Sequence, residues 1–178
     1  MEQARIAPLA PPYAPDVDGL LDSLRFGRPE PIALFRTLAR APRVLARVQA
    51  GGLLDRGPVP LRLRELAILR TTARCGASYE WGVHVATFRA KAGFTDAEIA
   101  ATTTGTHDWP EAEALVIALV DALHERATID DALFARLSAT FATDVLLELV
   151  SLVGFYHLIS FQVNVLRLGS EPGAPKLP

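Results

Sequence analysis

Residues 64–85 read RELAILRTTARCGASYEWGVHV. Leu66, Ile68 and Leu69 supply apolar helical material, Gly76 interrupts it, and Ser78 is a good N-cap for a second helix. The stretch therefore predicts a helix hairpin. On its second arm Glu80 and His84 are four residues apart and share one face. On its first arm Glu65 stands among apolar neighbours, where a carboxylate must be paired, hydrogen-bonded or protonated. Folding the hairpin can bring Glu65 to His84, and partial burial would move their pKa values toward each other, which suits proton transfer near neutral pH. The same residues fit equally a buried Glu–His pair that only locks the hairpin.

Helical signals continue on both sides. Upstream, Asp16 or Asp18 can cap a helix over Leu20, Leu21 and Leu24. Pro31 suits the first turn of a second helix running to about Ala41, and Pro42 opens a third that ends at Gly51 and Gly52. Pro60 opens the helix containing Glu65. Downstream, the helix of Glu80 and His84 stops at Gly93. Thr95 and Glu98 form a capping box for a short helix, Pro110 begins one reaching Arg126, Asp130 or Asp131 caps the next, and Thr143 caps a long last helix. That last segment, at about 25 residues, is too long for a strand. The expectation is an all-α bundle of about eight to nine helices. It occupies residues 16–169, between a proline-rich arm (1–15) and a tail (170–178). Both ends are too apolar for free linker, and a partner subunit is a candidate surface for them.

At 178 residues the chain suits one domain. Net charge is −2, which gives no general argument for nucleic acid. The distribution is uneven: residues 1–90 carry 13 basic and 8 acidic groups (+5), and residues 91–178 carry 5 and 12 (−7). Such polarity can attract an anionic substrate or complement a neighbouring subunit. Cys75 is the one cysteine, which rules out an intrachain disulfide and fits a reducing compartment. The N-terminus lacks the apolar core of a secretory signal. The run Leu146–Leu166 is oily but holds Glu148, His157, Gln162 and Asn164, costly in lipid, and reads as a helix buried on most sides. The expectation is a cytoplasmic protein with no membrane partner.

Other chemistries have weaker signals. Glu80 and His84 alone are a poor metal motif, and His107, His124 and His157 lie in separate segments, so no metal is expected. Cys75 beside Arg74 is a candidate thiolate, although a helix-end cysteine is usually small filler. Phosphate-loop, dinucleotide and serine-hydrolase motifs are absent.

The segment from about Leu61 to Ile99 resembles the carboxymuconolactone decarboxylase family, which includes the alkylhydroperoxidase D-like proteins. The matching residues are Arg64–Glu65, the run LAILRTTA, Tyr79–Glu80–Trp81, His84, Ala92–Gly93–Phe94 and Glu98–Ile99. The stretch ELVSLVGFYHLISFQVNVLRLGSE resembles the family's final helix. The peroxidase branch uses a glutamate, a CxxC pair and a histidine. Here the two cysteine positions hold Ala77 and Glu80, so a dithiol cycle is excluded, since it needs two thiols.

The decarboxylase branch, which also lacks the pair, is the better resemblance. It implies a cofactor-independent acid–base enzyme acting on a small carboxylated lactone or related acid. His84 would be the acid–base group, with Glu65 orienting it and Glu80 tuning it. Arg70 or Arg74 is a candidate to hold a substrate carboxylate. Cys75, Tyr79 and Trp81 are candidate pocket residues, the last two suited more to packing the hairpin. Two alternatives stand beside this: a peroxide-handling protein relying on Cys75 alone, and a non-catalytic ligand-binding relative. The resemblance, the oily last helix and the polarised charge imply a homotrimer or homohexamer.

Overall fold

The structure is a computed structural model that describes residues 4–178. Among these residues there are nine helices and no strand: α1 (Pro15–Asp22), α2 (Ala33–Leu38), α3 (Pro42–Gly51), α4 (Leu61–Arg74), α5 (Ser78–Ala92), α6 (Asp96–Thr104), α7 (Glu111–Arg126), α8 (Asp131–Thr140) and α9 (Thr143–Leu166). The all-α expectation is met. Residues 1–3 of the expected arm lie outside the described residues.

Several ends differ from the sequence reading. Ala14 precedes α1, and Asp16 and Asp18 lie within its first turn, where they suit the helix dipole without capping. Helix α2 is shorter than expected and begins after Ile32. Ser78 and Thr143 are the first residues of α5 and α9, not their caps. The capping box of Thr95 and Glu98 is present, as is the Asp130 cap on α8. Gly93, at φ 72°, closes α5 in the left-handed conformation that costs glycine least.

Helix α4 is the centre of the bundle, packed against α5, α6, α7 and α9. Every residue from Arg64 to Thr72 is buried. Leu66, Ile68 and Leu69 are sealed from solvent, each contributing about 1.5–3 kcal/mol of burial. The polar residues of this run are tolerated because each has a partner. Thr71 and Thr72 donate to Ala67 O and Ile68 O one turn back, and Arg70 forks onto Asp121 of α7 at 2.8 and 2.9 Å. Arg62, at the start of the helix ahead of the buried run, joins α4 to α6 and α7 through Glu98 and Glu113 and lies over the Phe94 ring.

Helix α9 is less enclosed than its composition suggests. Leu147, Val150, Leu158, Phe161 and Val165 are exposed along it. It is the one described helix long and apolar enough to cross a membrane by length and composition, yet it packs against α4, α5, α7 and α8.

The described parts of the arm and the tail both lie on the body of the chain. In the arm, Arg5 N donates to Leu166 O and Leu9 N to Arg36 O. In the tail, Glu171 accepts hydrogen bonds from Ala33 N and Tyr79 Oη, both at 2.6 Å, and Leu177 N donates to Ser78 Oγ at 3.0 Å.

Candidate active site

The hairpin of α4 and α5 brings Glu65 and His84 together, with His84 Nδ1 at 2.7 Å from Glu65 Oε2. Both are essentially sealed from solvent, at 1% and 3% exposure. The other Glu65 oxygen accepts from Arg64, at 3.0 Å from Nε and 2.9 Å from Nη2. Arg64 is itself anchored on Leu54 O at 2.8 Å, so the carboxylate is fixed from two sides.

The far imidazole nitrogen, Nε2, faces Tyr156 Oη at 3.0 Å and Glu80 Oε1 at 3.5 Å. Phe88 stacks on the ring at 5.4 Å, and Tyr156 meets it edge-on at 5.1 Å. Glu80 is in the first turn of α5, where the helix N-terminus favours a negative charge. Its Oε2 is buried and has no hydrogen-bond partner among the described residues.

Burial alone would lower the pKa of His84. The charge of Glu65 and its hydrogen bond, supported by Glu80, outweigh it and raise the value to about 9. The expectation of a near-neutral value is thereby corrected: at pH 7 the resting ring is an imidazolium, with both nitrogens donating. It is an acid in waiting, not a base. Tyr156 is held neutral by burial and by the nearby charges of Glu80 and Glu65.

Glu80 lies on the wall between two lobes of a cleft. One, of about 320 Å³, is lined by residues including Leu34, Gln49, Tyr156 and Ile159. The other, of about 390 Å³, is lined by residues including Arg28, Val83, His84, Phe88 and Lys91. Phe26, Phe35 and Leu54 line both. Phe26 sits over the cleft at φ 49°, a conformation unusual for a bulky residue and costing about 1–3 kcal/mol.

The remaining candidates lie elsewhere. Arg70 and Arg74, expected to meet a substrate carboxylate, line neither lobe. Arg70 is bound to Asp121 and to the carbonyls of Thr102 and Thr103, and Arg74 to Asp121 and Glu125. Tyr79 is tied to Glu171 and Leu34 N, and Trp81 Nε1 donates to Thr102 Oγ1 at 3.0 Å, so both are packing residues. Cys75, half-buried, faces His124 instead of His84. Tyr156, Arg28 and Lys91 were missed by sequence reasoning. Tyr156 lies in the stretch that resembles the family's last helix, but nothing local marks it as facing His84.

The sequence model of the carboxymuconolactone decarboxylase family matches residues 39–125, which include Arg64, Glu65, Glu80 and His84. That stretch resembles the family. Solved structures share its AhpD-like fold. An uncharacterised peroxidase-related protein from Silicibacter sp. TM1040 superposes with TM-score 0.80 at 11% identity, over 98% of this chain and 96% of that one. A variant of the debrominase Bmp8, in complex with 2,3,4-tribromopyrrole, gives 0.77 at 15% identity, over 96% and 94%. ATU0492 from Agrobacterium tumefaciens, a putative antioxidant defence protein AhpD, gives 0.59 at 21% identity, over 71% and 84%. At these identities the likeness is one of fold. No curated protein matches the sequence.

Proposed function

We propose that this protein is a cofactor-independent acid–base enzyme acting on a small carboxylated lactone or a related acid. The observation that carries the reading is the sealed Glu65–His84 pair with its outer nitrogen turned to Glu80 and Tyr156 beside a cleft. Arg28 and Lys91 line the His84 lobe and are the cations suited to a substrate's carboxylates, the role first expected of Arg70 or Arg74.

The chemistry needs no cofactor. The bond between the ring carbon and the departing carboxylate breaks, and its electron pair passes into the lactone carbonyl as an extended enolate. Carbon dioxide leaves. The His84 Nε2 proton is delivered to the carbon end of the enolate, and water returns a proton to the ring afterwards. Glu65 holds the ring's orientation and charge throughout. Glu80, with one oxygen unpartnered, places a negative charge beside the cleft. A carboxylate held near it is relieved of repulsion when it departs as neutral carbon dioxide.

Carbon dioxide release from 4-carboxymuconolactone and a panel of related lactone acids tests this. His84→Gln and Glu65→Gln, shown folded by circular dichroism, should lose about 10²–10⁴-fold in turnover. Unchanged turnover in either variant, or none by the unsubstituted protein across the panel, overturns the reading. Loss of turnover through Cys75→Ala with His84→Gln unaffected would turn it to thiol chemistry.

A further inference from the structure

A second cluster of chemically active side chains lies outside the cleft. Cys75 caps the C-terminus of α4, His124 is in the last turn of α7, and His157 is midway along α9. Their candidate ligand atoms lie within 4.8 Å of one another. Cys75 Sγ is 3.8 Å from His124 Nδ1, which is 3.0 Å from His157 Nε2.

A tetrahedral ion with bonds of about 2.0–2.1 Å to nitrogen and about 2.3 Å to sulfur separates its ligands by about 3.3 Å (N···N) and about 3.6 Å (N···S). The observed spacings lie within a few tenths of an ångström of both. We propose that Cys75, His124 and His157 form a three-ligand site for Zn²⁺ or a similar d¹⁰ cation, with the fourth position open to water.

The surroundings suit ligation. His157 Nδ1 donates to Val153 O at 2.8 Å, which fixes the tautomer and leaves Nε2 unprotonated, accepting from His124 Nδ1 until a cation takes the place of that proton and His124 shifts to its other tautomer. Asn164 Nδ2 holds the Cys75 carbonyl at 2.8 Å, which fixes the backbone that presents the thiol.

Ser160, almost one turn after His157, is fully buried beside Cys75. A bound cation deprotonates a coordinating thiol outright, and the resulting thiolate can accept from the Ser160 hydroxyl. Arg74 is the nearby like charge. Its pairing with Asp121 and Glu125 offsets it, so the cluster is not a cationic environment. The three ligand side chains are only partly buried, which leaves an entry path.

Titration of untagged protein with Co²⁺ tests the site without any assay of activity. The expected result is one equivalent per chain, a thiolate-to-cobalt charge-transfer band in the near ultraviolet, and displacement of the band by Zn²⁺. Cys75→Ser should abolish the band, and His157→Gln should weaken binding at least about tenfold. Circular dichroism of each variant confirms that it is folded. Failure to retain metal through gel filtration overturns the proposal. So does binding without the band, or binding of equal strength in Cys75→Ser and His157→Gln.

Discussion

His84 couples the chemistry of the cleft to the stability of the fold. Its folded pKa, about 9, lies above the 6.5 of an unperturbed imidazole. The stabilisation from its charged form is therefore complete below about pH 6.5 and disappears as pH rises through about 9. By linkage this is worth on the order of 3 kcal/mol. Urea unfolding from pH 6 to 10 should show stability falling across that window, and Glu65→Gln should flatten the dependence. A profile that rises from pH 7 to 9 would contradict the assignment of the charge. If His84 is the proton donor, turnover should decline on the same alkaline limb. The Glu65–His84 partnership was legible in the sequence because both residues lie in adjacent helices of one hairpin. Tyr156 was not, because its approach to Nε2 depends on how α9 rotates against α5. Arg70 and Arg74 misled because a free guanidinium and one already forked onto a carboxylate 47 or 51 residues away look identical in a sequence.

Among the elements, α4 shows why hydrophobic periodicity alone understates burial. Its interior is a run of arginine, glutamate and threonine as well as leucine, and these polar groups are satisfied by partners on α5 and α7 and by the helix's own carbonyls. The helix ends marked by Pro42, Gly93 and the Thr95–Glu98 box were readable because local chemistry sets them. Those at α1 and α2 were not, since packing against α3 and the arm competes with capping there. Thr95→Ala should cost about 1 kcal/mol in urea unfolding, with loss of the capping box. The tail makes a sharper case. A Cβ at Gly82 would collide with the Pro175 carbonyl oxygen, a backbone atom with little freedom to yield. Gly82→Ala should expel the tail and lower stability by about 1–3 kcal/mol. Hydrogen exchange should then quicken over residues 171–178. Unaltered protection there would show that the tail is not held against α5.

For the molecule as a whole, the exposed residues Leu147, Val150, Leu158, Phe161 and Val165 follow helical spacing along α9. We propose that a second copy of this chain covers them, in a homotrimer or homohexamer. The family resemblance and the opposite charge of the two halves support this. Light scattering at micromolar concentration should give a mass above that of one 19.2 kDa chain, and Phe161→Glu should reduce it. A monomeric mass for the unsubstituted protein refutes the assembly. The sequence identified α9 as the oily helix but not its exposed side, because apolar residues occur all round it.

The buried groups at the centre also have a collective property. Arg64 and His84 carry positive charge and Glu65 and Glu80 negative, so the four sum to zero in a space nearly closed to water. An anion that settles beside Glu80 upsets that neutrality and favours the capture of a proton with it. Ligand affinity should then rise as pH falls. The heat of binding should differ between buffers of different ionisation enthalpy, in proportion to the protons taken up. A calorimeter would thus register the cleft's electroneutrality even with an inert acid that the protein never transforms.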